Sequence, residues 1–291
     1  MATKPADGDT PLLVSSAWLK EHLAEAAGVG NKLRILDVTW YSAKNGKDDF
    51  DRSHIPGALF FELMKDVENT PLFPRNLPPP EKFQEQVRSL GIDNDTHVVL
   101  YDNIPGKNGF FIGGRAFWMF KHFGHEKVSI LDGGLAKWIA DGYNTTSDTI
   151  SVNKGNFTAK PNNNFIRSFD EVIPLLTNQM EQIVDGRSSD QFNNTAGGYV
   201  GGHMPNAYNV PFESLLDSST GCMKSPEELR KVFADSGLNE NKPVVTLCNG
   251  GVSSCSVMVA AMIAGFPQAA VYHGGWTEWK QKAAPEQIIQ P

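Results

Sequence analysis

The sequence predicts an α/β protein built from two tandem copies of one unit, each a parallel sheet flanked by helices. Three observations carry this. Short strand-like runs alternate with helix-length runs along most of the chain. Motifs of the first half return in the second at nearly constant spacing, and each half closes on a strand that turns at two glycines into a helix.

In chain order, a polar tail precedes a helix from Ser15 to Ala27, which serines can cap and which closes near Gly28 and Gly30. Leu33 to Trp40 reads as a strand with Asp37 at its end. A loop from Phe50 to Ala58 carries His54 and Pro56, and Pro80 to Leu90 is helical. His97 to Asp102 is a second strand, Gly113 to Phe123 an amphipathic helix, and Val128 to Leu131 a strand that turns at Gly133 and Gly134 into the helix holding Trp138.

The text then repeats. Ile35-Leu-Asp37 returns as Ile183-Val-Asp185, Ser53-His-Ile-Pro-Gly-Ala58 as Gly202-His-Met-Pro-Asn-Ala207, Val98-Val-Leu-Tyr-Asp102 as Val244-Val-Thr-Leu-Cys248, and Ile130-Leu-Asp-Gly-Gly134 as Val271-Tyr-His-Gly-Gly275. The offsets are 148, 149, 146 and 141 residues, too regular for chance and domain-sized, so a domain has been duplicated. Residues 144–164 are rich in Thr, Ser, Asn and Lys without apolar periodicity and read as a surface linker. The expected division is residues 1–143, a linker over 144–164, and residues 165–291.

Composition narrows the function classes. The 291 residues are 40% hydrophobic and 20% charged, with net charge 26 minus 33, or −7, and no basic run. Nucleic acid and anionic membranes are therefore poor partners. The first residues lack an apolar or Arg-rich targeting pattern, and no run approaches the ~20 apolar residues of a membrane span. Three cysteines, Cys222, Cys248 and Cys255, make no disulfide framework and point to a reducing compartment, the cytoplasm or a mitochondrion.

Duplication supplies an internal control. Features shared by both halves serve the fold: the strand-end Asp, the His-x-Pro-x-Ala loop and the Gly-Gly turn. Features of one half are candidates for chemistry. Cys248 stands where the first half has Asp102, and Arg187 where it has Thr39. Cys248 follows a buried strand and precedes Gly250, Gly251 and a helix-length apolar run from Val257 to Ala264, so backbone N–H groups and a helix N-terminus should draw the thiol below its ordinary ~8.5. Taken alone, a cysteine is more often a small core residue; this setting reverses that reading.

Such a thiolate could attack phosphorus, a carbonyl or sulfur. Cysteine phosphatases need an arginine six residues on, and position 254 is Ser. Acyl transfer needs a histidine base; His54, His203 and His273 are candidates that no spacing assigns, and the shared placement of His54 and His203 favours a structural role. His122 and His125 lack a second cluster for a metal. Attack on sulfur remains, leaving a persulfide anion held by backbone N–H groups. Arg187 could meet the acid end of a small donor, or it could pair with Asp185 or Asp190. Cys255 reads as core, and Cys222 as an exposed thiol in a polar loop.

The tandem halves, the His-Ile-Pro-Gly-Ala loop, the Asp-Gly-Gly-Leu turn and Cys248-x-x-Gly-Val-Ser-x-Cys255 resemble the rhodanese superfamily, specifically two-domain thiosulfate and 3-mercaptopyruvate sulfurtransferases. The resemblance implies a non-catalytic N-terminal domain, a catalytic C-terminal one, a Cys248 persulfide and no cofactor or metal. It further implies a substrate site from Arg187, Asn249, Gly250, Gly251, Val252, Ser253 and Ser254, with His54 as an auxiliary. The expected partners are a small anionic sulfur donor and an acceptor: cyanide, thioredoxin or a low-molecular-weight thiol. A monomer or weak dimer is expected. The uncharged loop Asn249-Gly-Gly-Val-Ser253 matches the mercaptopyruvate group better than the thiosulfate group, which carries two cationic residues there. Beside the acid expected upstream of His54, which has no clean match in residues 43–49, two features depart from that pattern. Gly250 replaces a serine, and Gln191, Asn193 and Asn194 occupy the region of a second substrate arginine. These departures motivate a rival reading, a binding or scaffold protein that keeps the fold.

Overall fold

The computed structural model describes residues 10–27, 32–106, 109–198 and 200–291. The polar tail through Asp9, and Gly28 and Gly30, lie outside the described residues. The chain divides into two compact units. The first holds strands β1 (Leu13–Val14), β2 (Leu33–Asp37), β3 (Ala58–Phe60), β4 (His97–Tyr101) and β5 (Val128–Leu131) in the order β1-β5-β4-β2-β3. The second holds β6 (Ile166–Arg167), β7 (Gln182–Asp185), β8 (Tyr208–Asn209), β9 (Val244–Leu247) and β10 (Ala269–Tyr272) in the order β6-β10-β9-β7-β8. All the strand pairings in both sheets are parallel.

The two sheets agree residue by residue. Ile35 pairs with Val99 and Ile183 with Val245; Leu100 pairs with Ile130 and Thr246 with Val271; Asp37 pairs with Phe60 and Asp185 with Asn209. Each second pair is the first shifted by the offsets of the sequence repeats. A one-residue slip would turn every buried side chain outward, so agreement in register means that the same faces are buried in both copies.

Parallel strands are covered on both faces, which is why β9 reads Val-Val-Thr-Leu and is buried throughout. Its one polar side chain is satisfied: the Thr246 hydroxyl donates to Ser254 O at 2.8 Å. That bond ties the strand to the first turn of the next helix, Ser253–Ala264. This helix starts four residues before the apolar run that announced it, because polar Ser253 and Ser254 form its first turn. The first helix, Ser16–Ala27, is capped as expected, with Ser15 Oγ accepting from Trp18 N at 3.1 Å.

The unit boundary falls at Asn162 and Asn163, and residues 144–162 are not a free linker. Thr146 exchanges backbone hydrogen bonds with His54, Gly155 N donates to Arg88 O, and Phe157 is fully buried beside Phe83. One aromatic anchor and a ladder of backbone bonds hold this strap to the first unit without any apolar periodicity. Two short segments are exchanged relative to sequence order: Asn69–Asn76 clusters with the second unit and Ser218–Cys222 with the first. Among the described residues, no helix is long and apolar enough to cross a membrane.

Candidate active site

In the second unit, β7 and β9 are neighbours with Asp185 opposite Leu247. Arg187 therefore leaves β7 at the same sheet end where Cys248 leaves β9, the crevice in which open α/β sheets place their sites. The loop after Cys248 closes quickly because Gly251 takes φ +72°, a left-handed conformation that glycine adopts without strain. The Gly-Gly turn after β10 packs beneath it. Gly275 sits at φ +56°, where a Cβ would run into Cys248 O, and this closeness lets Trp276 N donate to Cys248 O at 2.8 Å and Thr277 N to Asn249 O at 3.0 Å.

The Cys248 sulfur faces this loop. Val252 N donates to Sγ at 3.2 Å, and Ser254 Oγ lies 3.3 Å away. Burial by itself pushes the thiol up. Hydrogen bonds from the Ser254 hydroxyl and amide, the Ser253 hydroxyl and the Val252 amide outweigh it and hold Cys248 below the ordinary thiol value. The residue keeps 4% of its surface exposed. Cys222 has the opposite balance: burial first, then the nearby Asp132 carboxylate, push its thiol up.

The first unit shows what the same loop does without a cysteine. Asp102 ends β4, and its Oδ2 accepts from Ile112 N at 2.8 Å and Gly113 N at 3.0 Å, while Oδ1 accepts from Ile104 N at 3.1 Å. Here a fixed carboxylate fills the amide nest at the start of helix Gly113–His122. A nest built for a negative group is thus common to both units, and only the second offers it a nucleophile.

Arg187 is held on three sides. Its Nε and Nη2 donate to the Asp185 carboxylate, Nη2 also donates to Gly202 O at 2.7 Å, and its guanidinium stacks 4.4 Å from the Trp276 ring. The pair with Asp185 is almost wholly buried. Of the two partners open to Arg187 on sequence, the structure provides the neighbouring acid. Asn249 is steadied by Gln191, whose Oε1 accepts from Asn249 Nδ2 at 3.4 Å; Gln191 lies where a second arginine was expected.

Of the five histidines singled out above, His273 stays near the site, directly before Gly274 and Gly275 with Nε2 3.4 Å from Asn76 Oδ1, and the other four are tied elsewhere. His54 is fully buried in the first unit, stacked on Phe50, with Nδ1 2.7 Å from Phe50 O and Nε2 3.0 Å from Asp148 O. His203 stacks on Phe192 in the same way at 3.9 Å. This shared packing supports a structural role for both. His122 and His125 lie against Asn162 O and Thr96 O. Cys255 is buried, its thiol donating to Gly251 O at 3.3 Å.

One residue at the loop was not legible in the sequence. Arg75, in the exchanged segment Asn69–Asn76, places Nη1 3.1 Å from where a Cβ on Gly250 would stand, with Pro74 Cγ at 3.5 Å. It comes from the other half of the chain, and no motif marks it.

Comparison with known proteins agrees with the duplication. The family description "Rhodanese-like domain" matches residues 15–141 and again 168–282. Rat thiosulfate sulfurtransferase is 37% identical over 94% of this chain and 93% of its own length. Human 3-mercaptopyruvate sulfurtransferase is 36% identical over 95% and 94%. Among solved structures, SseA of Escherichia coli, described as a 3-mercaptopyruvate sulfotransferase, superposes with TM-score 0.80 at 32% identity over 92% of this chain and 99% of its own.

Proposed function

The chain belongs to the rhodanese-like domain family in both of its halves, and from that premise we propose that it is a sulfurtransferase whose Cys248 carries sulfur as a persulfide. One observation carries the reading: the Cys248 sulfur is met by Val252 N–H and the Ser254 hydroxyl at 3.2 and 3.3 Å, at the first turn of a buried helix. These donors favour the thiolate before transfer and the persulfide anion after it.

The preferred donor is 3-mercaptopyruvate. The Cys248 thiolate attacks the donor's sulfur; an S–S bond forms as the C–S bond breaks, and the electron pair passes to the donor's carbon as an enolate. A proton from the donor's thiol or from water converts it to pyruvate. An acceptor thiolate, from a small thiol or a thioredoxin-like protein, or cyanide then attacks the outer sulfur and restores the Cys248 thiolate. The loop Asn249–Ser254 carries no charge, which suits a ketoacid whose charge lies away from the reacting sulfur. Thiosulfate is the second reading, favoured by a relative of that name at 37% identity against 36% for the mercaptopyruvate relative. In that case the S–S bond of the donor breaks and sulfite leaves. A reducing compartment, cytoplasmic or mitochondrial, fits a catalytic thiol.

Mass spectrometry of the peptide carrying Cys248 after incubation with each donor should show one added sulfur, and a Cys248→Ser protein should show none. If neither donor adds sulfur, the protein keeps the fold as a scaffold and the enzymatic reading is lost.

A further inference from the structure

We infer that Arg75 is a donor-recognition residue of the Cys248 site, supplying a positive charge for the acid end of the sulfur donor; this rests on the sulfurtransferase reading and deepens it. The loop that follows Cys248 is neutral from Asn249 to Ser254, and the charge of Arg187 is already paired with Asp185 at almost complete burial. A small dianion or ketoacid brought to Cys248 needs a cation within reach of its far end. Arg75 is half-buried, and its Nη1 lies 3.1 Å from where a Cβ on Gly250 would stand, two residues past the sulfur-bearing cysteine.

The strap that carries it is built to hold position. Phe73 N donates to Thr70 Oγ1 at 3.0 Å, Thr70 N donates to Phe73 O, and Asn76 N donates to Asn69 Oδ1 at 3.1 Å, which together fold Asn69–Asn76 into a tight turn. The turn is docked through His273, on which Phe73 stacks at 5.5 Å and whose Nε2 lies 3.4 Å from Asn76 Oδ1. His273 directly follows β10 and precedes Gly274 and Gly275, so the strap is fastened to the same Gly-Gly turn that supports the Cys248 loop. Arg75 and Gly250 then make one device. The glycine at 250 lets the guanidinium lie close against the loop, which a longer side chain would crowd, and a planar fork of N–H donors matches a carboxylate or sulfonate in a way that a hydroxyl does not.

The experiment compares alkylation of Cys248 by iodoacetate and by iodoacetamide. Both report thiolate reactivity, so their rate ratio isolates recognition of the carboxylate. In the unsubstituted protein the ratio should exceed that of a free thiol and fall as salt is added. Arg75→Ala should lower it about tenfold or more, the loss of one charge-assisted hydrogen bond. Gly250→Ser should lower it too by displacing the guanidinium, and Arg75→Lys should restore part of it. Steady-state rates should show the same split, with KM for 3-mercaptopyruvate and thiosulfate raised about ten- to a hundredfold in Arg75→Ala and kcat changed far less. An unchanged ratio and KM in Arg75→Ala, while the unsubstituted protein forms the persulfide, overturns the role of Arg75 alone. Failure of the unsubstituted protein to form any persulfide overturns the sulfurtransferase reading instead.

Discussion

Cys248 is held below the ordinary thiol value because hydrogen bonds win against burial, and the margin rests on few donors. Removing the Ser254 hydroxyl leaves burial in place and takes away the largest opposing contribution. Ser254→Ala is therefore expected to move the thiol upward and to slow alkylation at pH 7 by about tenfold, the worth of one hydrogen bond to a charged atom. The pH profile of alkylation checks this, and a profile identical to the parent's would mean that the backbone amides suffice. Cys222, whose thiol is pushed up by burial and Asp132, should lag behind Cys248 at the same pH. Arg187→Ala leaves Asp185 buried without its partner and is expected to cost about 3–5 kcal/mol in unfolding free energy. Its neighbour Asp185 was legible two residues away in the sequence, as was the amide nest around Cys248, because both are local. Arg75 was not, because it reaches the loop from a segment whose own sequence says only turn.

At the scale of elements, the Gly-Gly turns show how backbone closeness assembles the site. Gly275 at φ +56° leaves no room for a Cβ beside Cys248 O and Asn249 O, whereas Gly265 at φ +93° faces open space at the end of helix Ser253–Ala264. Gly265→Ala should thus carry only the left-handed penalty, about 1–2 kcal/mol. Gly275→Ala should carry that penalty plus the displacement of the β9 end, and should lower the Cys248 alkylation rate as well as the melting temperature. Equal losses in the two variants, with alkylation intact, would remove the turn from the construction of the site. The correspondence of the two sheets was legible in advance, since the repeats align β2, β4 and β5 with β7, β9 and β10. The strap of residues 144–162 was not, because its hold on the first unit comes from backbone hydrogen bonds and Phe157, neither of which leaves a periodic pattern. Strands of two or three residues, such as β1, β6 and β8, escaped for the same reason.

The two units share a fold and differ as whole bodies in how they meet acid. In the first, burial lowers His97 and His125 from 6.5 to about 4; His125, His22 and Lys127 add repulsion at His97, while at His125 the hydrogen bonds with Thr96 and Lys127 and the Glu126 charge oppose burial and Lys121 reinforces it. A histidine lowered on folding contributes stability that is complete above 6.5 and is lost as pH falls through 4, because the unfolded chain takes up the proton first. Each is worth on the order of 3 kcal/mol. Asp37, raised by burial to about 6, has the opposite sign: the folded state holds its proton longer, so its contribution improves as pH drops from 6 toward 3.8 and offsets about 3 kcal/mol. Burial also lowers His122 and raises Asp102, so three histidines work against two carboxylates as pH falls; for His97, His125 and Asp37 alone the balance is a loss of roughly 3 kcal/mol between pH 7 and 4. His125→Gln, which can still donate to Thr96 O, should shrink the fall in melting temperature over that range, and Asp37→Asn should enlarge it. Parallel falls in the parent and both variants would place the acid sensitivity elsewhere. Because Cys248 belongs to the other unit, its alkylation at pH 7 should be the same in all three proteins, which separates the stability of the first unit from the thiol of the second.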